Sequence, residues 1–260
     1  MKEAKKKIQK DFGVTAGLLV LSILYTVVIM FIDVRPIGPQ GSVVGFAAVN
    51  QYFHTLIGTN MLLYNITDWL SIPILFVMLG FTIVGLVQLI KRKGLLGVDS
   101  SILILGGFYV FVFLIYLFFE FFVVNYRPVL IKGVLEASYP SSTTMLMMCI
   151  IPTAIMQFHR LISSKRLRNI VNTLCGIYAG FMVIGRVLSG VHWITDIVGG
   201  ILFSATFVML YYSINHWVNS KASRASQRSR CSSKVCQGEG CQRIRNTEEY
   251  EGWEGKIYHR

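Results

Sequence analysis

Residues 185–196 read Gly-Arg-Val-Leu-Ser-Gly-Val-His-Trp-Ile-Thr-Asp, and they set Arg186, His192 and Asp196 at the edge of an apolar segment. Polar side chains at such a place are costly unless they have partners, so they are read first as functional. On a helix, His192 and Asp196 would be four apart and share a face. A carboxylate there holds one imidazole nitrogen and leaves the other free to attack or to move a proton. Arg186 adds a planar fork suited to phosphate oxygens. A lone His-x-x-x-Asp says little; its neighbours and its place in the chain give it weight.

Working outward, the chain has 260 residues, 53% of them hydrophobic and only 15% charged. That composition belongs to a membrane protein rather than a soluble domain. A net charge of +12 would suggest nucleic acid in a soluble chain. Here the charges lie between apolar runs, so membrane orientation accounts for them and no nucleic-acid partner is expected. Six spans are expected, at about 14–32, 69–90, 101–124, 144–158, 170–188 and 194–217. Five lysines precede the first, and no small-residue cleavage site follows it, so it reads as a retained transmembrane helix. Residues 33–68 form a long connection. Within it Val49, Tyr52, Phe53, Leu56 and Ile57 recur at helical spacing, which predicts an interfacial helix in the first outer loop. His54, on that helix, reads as solvent-facing or interfacial. The expected fold class is all-α: a polytopic bundle of six transmembrane helices over residues 1–217, followed by a cytoplasmic, disordered tail, 218–260.

Charge sets the expected orientation. Of the 25 lysines and arginines, 21 lie on the side of the two termini, and Arg35, Arg127, Lys132 and Arg186 lie on the other. The positive-inside rule then places both termini in the cytoplasm, with the plasma membrane as the expected location. It also brings three segments to the outer face: Asn125-Tyr126-Arg127-Pro128, the turn Tyr139–Thr144, and residues 185–196. The middle segment opens the fourth span. Its Pro140, Ser141, Ser142 and Thr143 offer hydroxyls and free backbone N–H groups at a helix N-terminus, a natural anion site. Two arginines, that nest and a carboxylate-oriented histidine suit phosphoryl transfer.

The arrangement resembles the type 2 phosphatidic acid phosphatase superfamily, which includes lipid phosphate phosphatases and vanadium haloperoxidases. The family pattern is Lys-x6-Arg-Pro, then Pro-Ser-Gly-His, then Ser-Arg-x5-His-x3-Asp, and the third motif is matched best. The resemblance implies that His192 is the nucleophile of a phosphohistidine mechanism and Asp196 its orienting partner. It implies phosphate binding by Arg127, Arg186 and the Ser141–Thr143 region. Four positions depart from the pattern: Thr143 stands for the histidine that acts as general acid, Glu120 for the lysine, Ser142 for the glycine and Gly185 for the serine.

The missing acid has a chemical consequence. An alkoxide leaving group has a conjugate acid about as weak as water. Without a donor, assistance of roughly 10²–10⁴-fold is lost. A phosphate leaving group, with its second pKa at about 6, needs little help. Diphosphates such as polyprenyl diphosphate are therefore the expected substrates, ahead of phosphatidate-like monoesters. Glu120 interrupts an apolar run and has two readings: an ion pair with Arg127 or Arg186, or a protonated carboxyl replacing the lost acid. Lys132 either replaces the lost cation or is a solvated loop residue.

Three functions compete: a membrane phosphatase or phosphotransferase on lipid phosphates, a relative that binds lipid phosphates without turnover, and a transporter. A transporter should show internal repeats or broken helices at mid-membrane, and only Pro152 hints at one. An oriented imidazole is not needed for simple binding, which ranks the enzyme first. No cofactor is expected, and scattered histidines without a carboxylate cluster indicate no metal. Cys231, Cys236 and Cys241 are spaced five apart and lack paired zinc-site spacing, so they read as free thiols, with acylation as the alternative.

Overall fold

The computed structural model describes residues 2–94 and 97–236, with Lys2 and residues 226–236 described through their backbone alone. Among the described residues eight α-helices follow one another: α1 Lys2–Phe31, α2 Ala47–Ile57, α3 Met61–Trp69, α4 Ile72–Lys91, α5 Ser100–Phe121, α6 Ser142–Leu161, α7 Lys165–Ser189 and α8 Ile194–Cys236. Among the described residues, six stretches are long and apolar enough to cross a membrane: Glu3–Phe31, Met61–Lys91, Ser100–Phe121, Ser142–Leu161, Lys165–Ser189 and Ile194–Ala225. At 1.5 Å per residue a 22-residue α5 extends about 33 Å, the thickness of a hydrocarbon core. Large apolar side chains on the outside, such as Val20, Leu24, Phe76, Phe113 and Leu114, are exposed because the solvent there is lipid.

Residues 1–218 form one compact unit, and Asn219 begins a second. Within the first, α6 packs on α7 and α5, α4 packs on α5 and α6, and α3 packs on α7. Hydroxyl bonds tie α1 to α8 where apolar burial offers no driving force: Thr15 to Ser213 at 3.1 Å and Ser22 to Thr206 at 3.0 Å. Farther down the same pair, the His216 ring meets Asp11 at 2.7 Å.

Two features depart from the sequence expectation. The second span is not one helix beginning near residue 69. It is α3 followed by α4, with a break at Leu70 and Ser71, so part of the expected connection is helical. Asn60 caps α3 by accepting from the Leu63 N–H at 3.0 Å. The last helix does not stop at residue 217 but runs to Cys236, into the stretch expected to be disordered. The remainder of that tail, including Cys241, lies outside the described residues, as do the side chains of Cys231 and Cys236.

Local chemistry brings the ends of α1, α5 and α7 and the starts of α6 and α8 together. The α5–α6 connection is a small hairpin. Arg127 N–H donates to Glu136 O at 3.1 Å, Ser138 N–H to Asn125 O at 2.9 Å, and Val134 N–H to Ile131 O at 2.9 Å. Lys132 and Gly133, both at positive φ, make its tip. The α7–α8 turn is held from outside by the α2–α3 loop, where Asn60 N–H donates to Ser189 O at 2.9 Å. Gly190 ends α7 in the left-handed region at φ +62°, and a Cβ there would lie 1.8 Å from Gly58 O. Gly190→Ala should therefore destabilise the protein by at least about 1–3 kcal/mol, read as a lowered unfolding temperature in detergent.

Candidate active site

Asp196 lies in the first turn of α8 and is fully buried. Its Oδ1 accepts from Asn125 Nδ2 at 3.1 Å, and its Oδ2 accepts from the Trp193 N–H at 3.0 Å and from Ser138 Oγ at 2.5 Å. Its carbonyl accepts from the Ser141 N–H at 2.9 Å. One residue thus fastens the hairpin, the start of α6 and the α7–α8 turn.

His192 sits in that turn and not on a helix, so it does not share a helical face with Asp196. The two are joined through a third side chain. Ser138 Oγ is 3.0 Å from His192 Nδ1 and donates its one proton to Asp196. The hydroxyl therefore accepts from Nδ1–H, and this assigns the tautomer: Nδ1 carries the proton and Nε2 keeps its lone pair. Arg127 Nη1 lies 3.3 Å from Nε2 and donates to it. The ring is buried, and burial first, then the positive charges of Arg127 and Arg186, hold its pKa well below the ordinary imidazole value; a backbone hydrogen bond at Ser138 acts the other way. A neutral ring whose Nε2 is unprotonated is chemically a nucleophile.

The two arginines flank it differently. Arg186 is 1% exposed, and its Nη2 donates to Thr143 Oγ1 at 2.9 Å and to Asp68 Oδ1 at 3.0 Å. Arg127 Nε lies 3.1 Å from Glu136 Oε2, off the hydrogen-bonding direction. In both guanidiniums Nε is buried without an acceptor. Tyr64 underlies both, with its ring centre 5.0 Å from Arg186 Cζ and 6.0 Å from Arg127 Cζ. Beside Arg127 a cavity of about 230 Å³ is lined by Tyr116, Glu120, Glu136, Ser138 and Ser142 among others.

The structure thus brings His192, Asp196, Arg127, Arg186 and Thr143 together. Ser142 faces the adjoining cavity. The Ser141 hydroxyl meets Thr144 Oγ1 of α6 at 3.1 Å. Glu120 is exposed and, among the described residues, pairs with neither arginine, whose carboxylate partners are Glu136 and Asp68. Lys132 is exposed at the hairpin tip. His54 is half-buried: its ring lies 5.4 Å from that of Trp193 and against the Gly190 backbone, beside the turn that carries His192.

Sequence reasoning missed Ser138, Asn125, Glu136, Asp68 and Tyr64 as site residues. A signal existed for the hairpin. Lys132-Gly133 is a turn pair, and Asn125 and Arg127 alternate opposite Glu136 and Ser138 at the two-residue period of paired strands. For Asp68 and Tyr64 no signal was present, because only packing carries α3 to α7.

Two measurements check this geometry. Ser138→Ala should lower any His192-dependent turnover by about tenfold to a hundredfold, the scale for groups that orient a reacting residue, with little change in KM. By histidine nitrogen NMR, the His192 ring should stay neutral and protonated at Nδ1 as the pH falls through 6.5, the ordinary imidazole value. A ring that charges there contradicts the assignment.

Comparison with known proteins follows the same residues. No curated protein matches the chain in sequence. A crystal structure described as that of the first transmembrane PAP2 type phosphatidylglycerolphosphate phosphatase from Bacillus subtilis is similar in fold, with a TM-score of 0.52 at 17% identity. The match covers 78% of this chain and 96% of that one. The sequence model of the PAP2 superfamily matches residues 121–220, the stretch that holds Arg127, Ser138, Thr143, Arg186, His192 and Asp196. The similarity to the PAP2 superfamily therefore lies in residues 121–220.

Proposed function

We propose that the protein is an integral-membrane lipid phosphate phosphatase or phosphotransferase that works through a phosphohistidine at His192. The observation that carries this reading is the locked imidazole: Nδ1 is tied through Ser138 to Asp196, and Nε2 faces Arg127. In the first step Nε2 attacks phosphorus, a P–N bond forms, and the P–O bond to the leaving group breaks with its electron pair going to oxygen. Arg127 and Arg186 bear on the phosphoryl oxygens as charge builds, and their acceptor-less Nε groups are suited to an incoming anion. In the second step water breaks the P–N bond, phosphate leaves, and the neutral ring is restored. Asp196 stays ionised throughout and fixes the ring through Ser138.

The leaving group decides the substrate. Thr143 accepts from Arg186, and a hydroxyl is no stronger an acid than the alkoxide's own alcohol. Asp68 and Glu136 are each engaged by an arginine. None of these side chains supplies a proton readily, so diphosphates such as polyprenyl diphosphate are the favoured class. The distribution of basic residues supports cytoplasmic termini, a plasma-membrane location and a site on the outer face.

Asp68 on Arg186 favours a second reading, a relative that binds lipid phosphates and does not turn them over. Phosphate release by the detergent-purified protein separates the two. Polyprenyl diphosphate should be cleaved at least about 10²-fold faster than phosphatidate, and His192→Ala should abolish both. Equal rates on the two substrates would remove the leaving-group argument. No release by a folded protein would leave the binder.

A further inference from the structure

A membrane surface is crowded with phosphodiester headgroups, each a monoanion that a pair of bare arginines would capture. Resting on the lipid-phosphate reading, we propose that Asp68 is a specificity-determining residue: an internal carboxylate on Arg186 that phosphodiesters fail to displace and terminal phosphates, as dianions, succeed in displacing.

The two halves of the Asp68–Arg186 pair differ in their surroundings. Arg186 is 1% exposed and Asp68 is 58% exposed, so the guanidinium is fixed while the carboxylate stands at an open side. Arg186 is the one side-chain partner that the Asp68 carboxylate has among the described residues. The neighbouring Thr67 is wholly buried against α7, where a Cβ on Gly185 would lie 2.6 Å from its methyl group. Gly185 therefore lets α3 approach closely, and Thr67 pins the backbone from which Asp68 swings. On the other side, α3 ends at Trp69, and Ser71 N–H and Oγ both bond to the Asp68 carbonyl, at 3.0 and 2.6 Å. The arm is short, anchored at its base and exposed at its tip.

The arginines do not depend on Asp68 for their position. Tyr64 holds both guanidiniums on one ring, and Thr143 accepts from Arg186 independently. When the carboxylate leaves, two cations remain side by side with buried N–H groups lacking acceptors.

Charge then sets the threshold. A tethered carboxylate has an effective concentration in the millimolar range or above, about what a short linker provides. A monoanionic diester exchanges one negative charge for another and gains little. A terminal phosphate, with its second pKa at about 6, is a dianion at neutral pH and engages Arg186 and Arg127 together. Discrimination comes from what the wrong ligand must displace.

The test uses two small probes of similar size: methyl phosphate, dianionic at about pH 8, and dimethyl phosphate, a monoanion. Binding of each to the full-length protein in detergent is measured by titration calorimetry, for the wild type and for Asp68→Asn. The wild type should take methyl phosphate and discriminate strongly against dimethyl phosphate. In the variant, affinity for dimethyl phosphate should rise about tenfold and the ratio narrow accordingly, as expected when a competing state populated about ten to one is removed. An unchanged ratio, or weaker dimethyl phosphate binding, overturns the proposal.

Should the variant not fold, the wild type decides by hydrogen exchange over residues 61–71. Methyl phosphate, and not dimethyl phosphate, should speed exchange there as the tie is released; unchanged or slower exchange overturns the idea. Binding of methyl phosphate without turnover of any lipid phosphate would sink the hydrolase reading and leave the role of Asp68 standing. No binding of methyl phosphate by the folded wild type would overturn both.

Discussion

The Asp196 carboxylate is the fixed point of this structure. Buried at the start of α8, it accepts from Asn125, Ser138 and the Trp193 N–H, while its own carbonyl accepts from Ser141. A buried carboxylate needs this many donors, since an unsatisfied one costs several kcal/mol in low dielectric, by rough estimate. The donors come from both arms of the hairpin, from the start of α6 and from the α7–α8 turn. Meeting the hydrogen-bonding demand of a single residue therefore closes the hairpin, seats α6 and shapes the turn that carries His192.

The imidazole inherits its properties from that arrangement. Ser138 stands between acid and ring, and because a hydroxyl has one proton to give, its direction toward Asp196 determines the direction of the next bond. The result is a ring with its proton on the inside and its lone pair on the side of Arg127. Outside this polar knot, the turn is clamped by His54 of α2 and by Gly58 and Asn60 of the α2–α3 loop. Those contacts let a loop hold an imidazole with the rigidity usually supplied by a helix.

The arginines show a second balance. Each buried guanidinium is offset by a more exposed carboxylate, Glu136 for Arg127 and Asp68 for Arg186, and the two share the Tyr64 ring. Unpaired, two adjacent cations at the membrane margin would repel each other in low dielectric. The pairing keeps the cluster stable without a ligand and leaves N–H groups in reserve for one.

Long apolar runs have one stable form in lipid, because every backbone group must be bonded within its own segment. The six spans, the all-helical class and the meeting of Arg127, Thr143, Arg186, His192 and Asp196 at one end of the bundle were therefore legible from residue order alone. The contacts within that end were not. Ser138 reaches His192 only because a hairpin folds it back beside Asn125, and Asp68 reaches Arg186 only because Thr67 fits against Gly185. Hydropathy acts on each segment separately and survives in the linear order. A hydrogen bond between residues 54 or 118 positions apart depends on how the segments pack, and so it was decided in three dimensions.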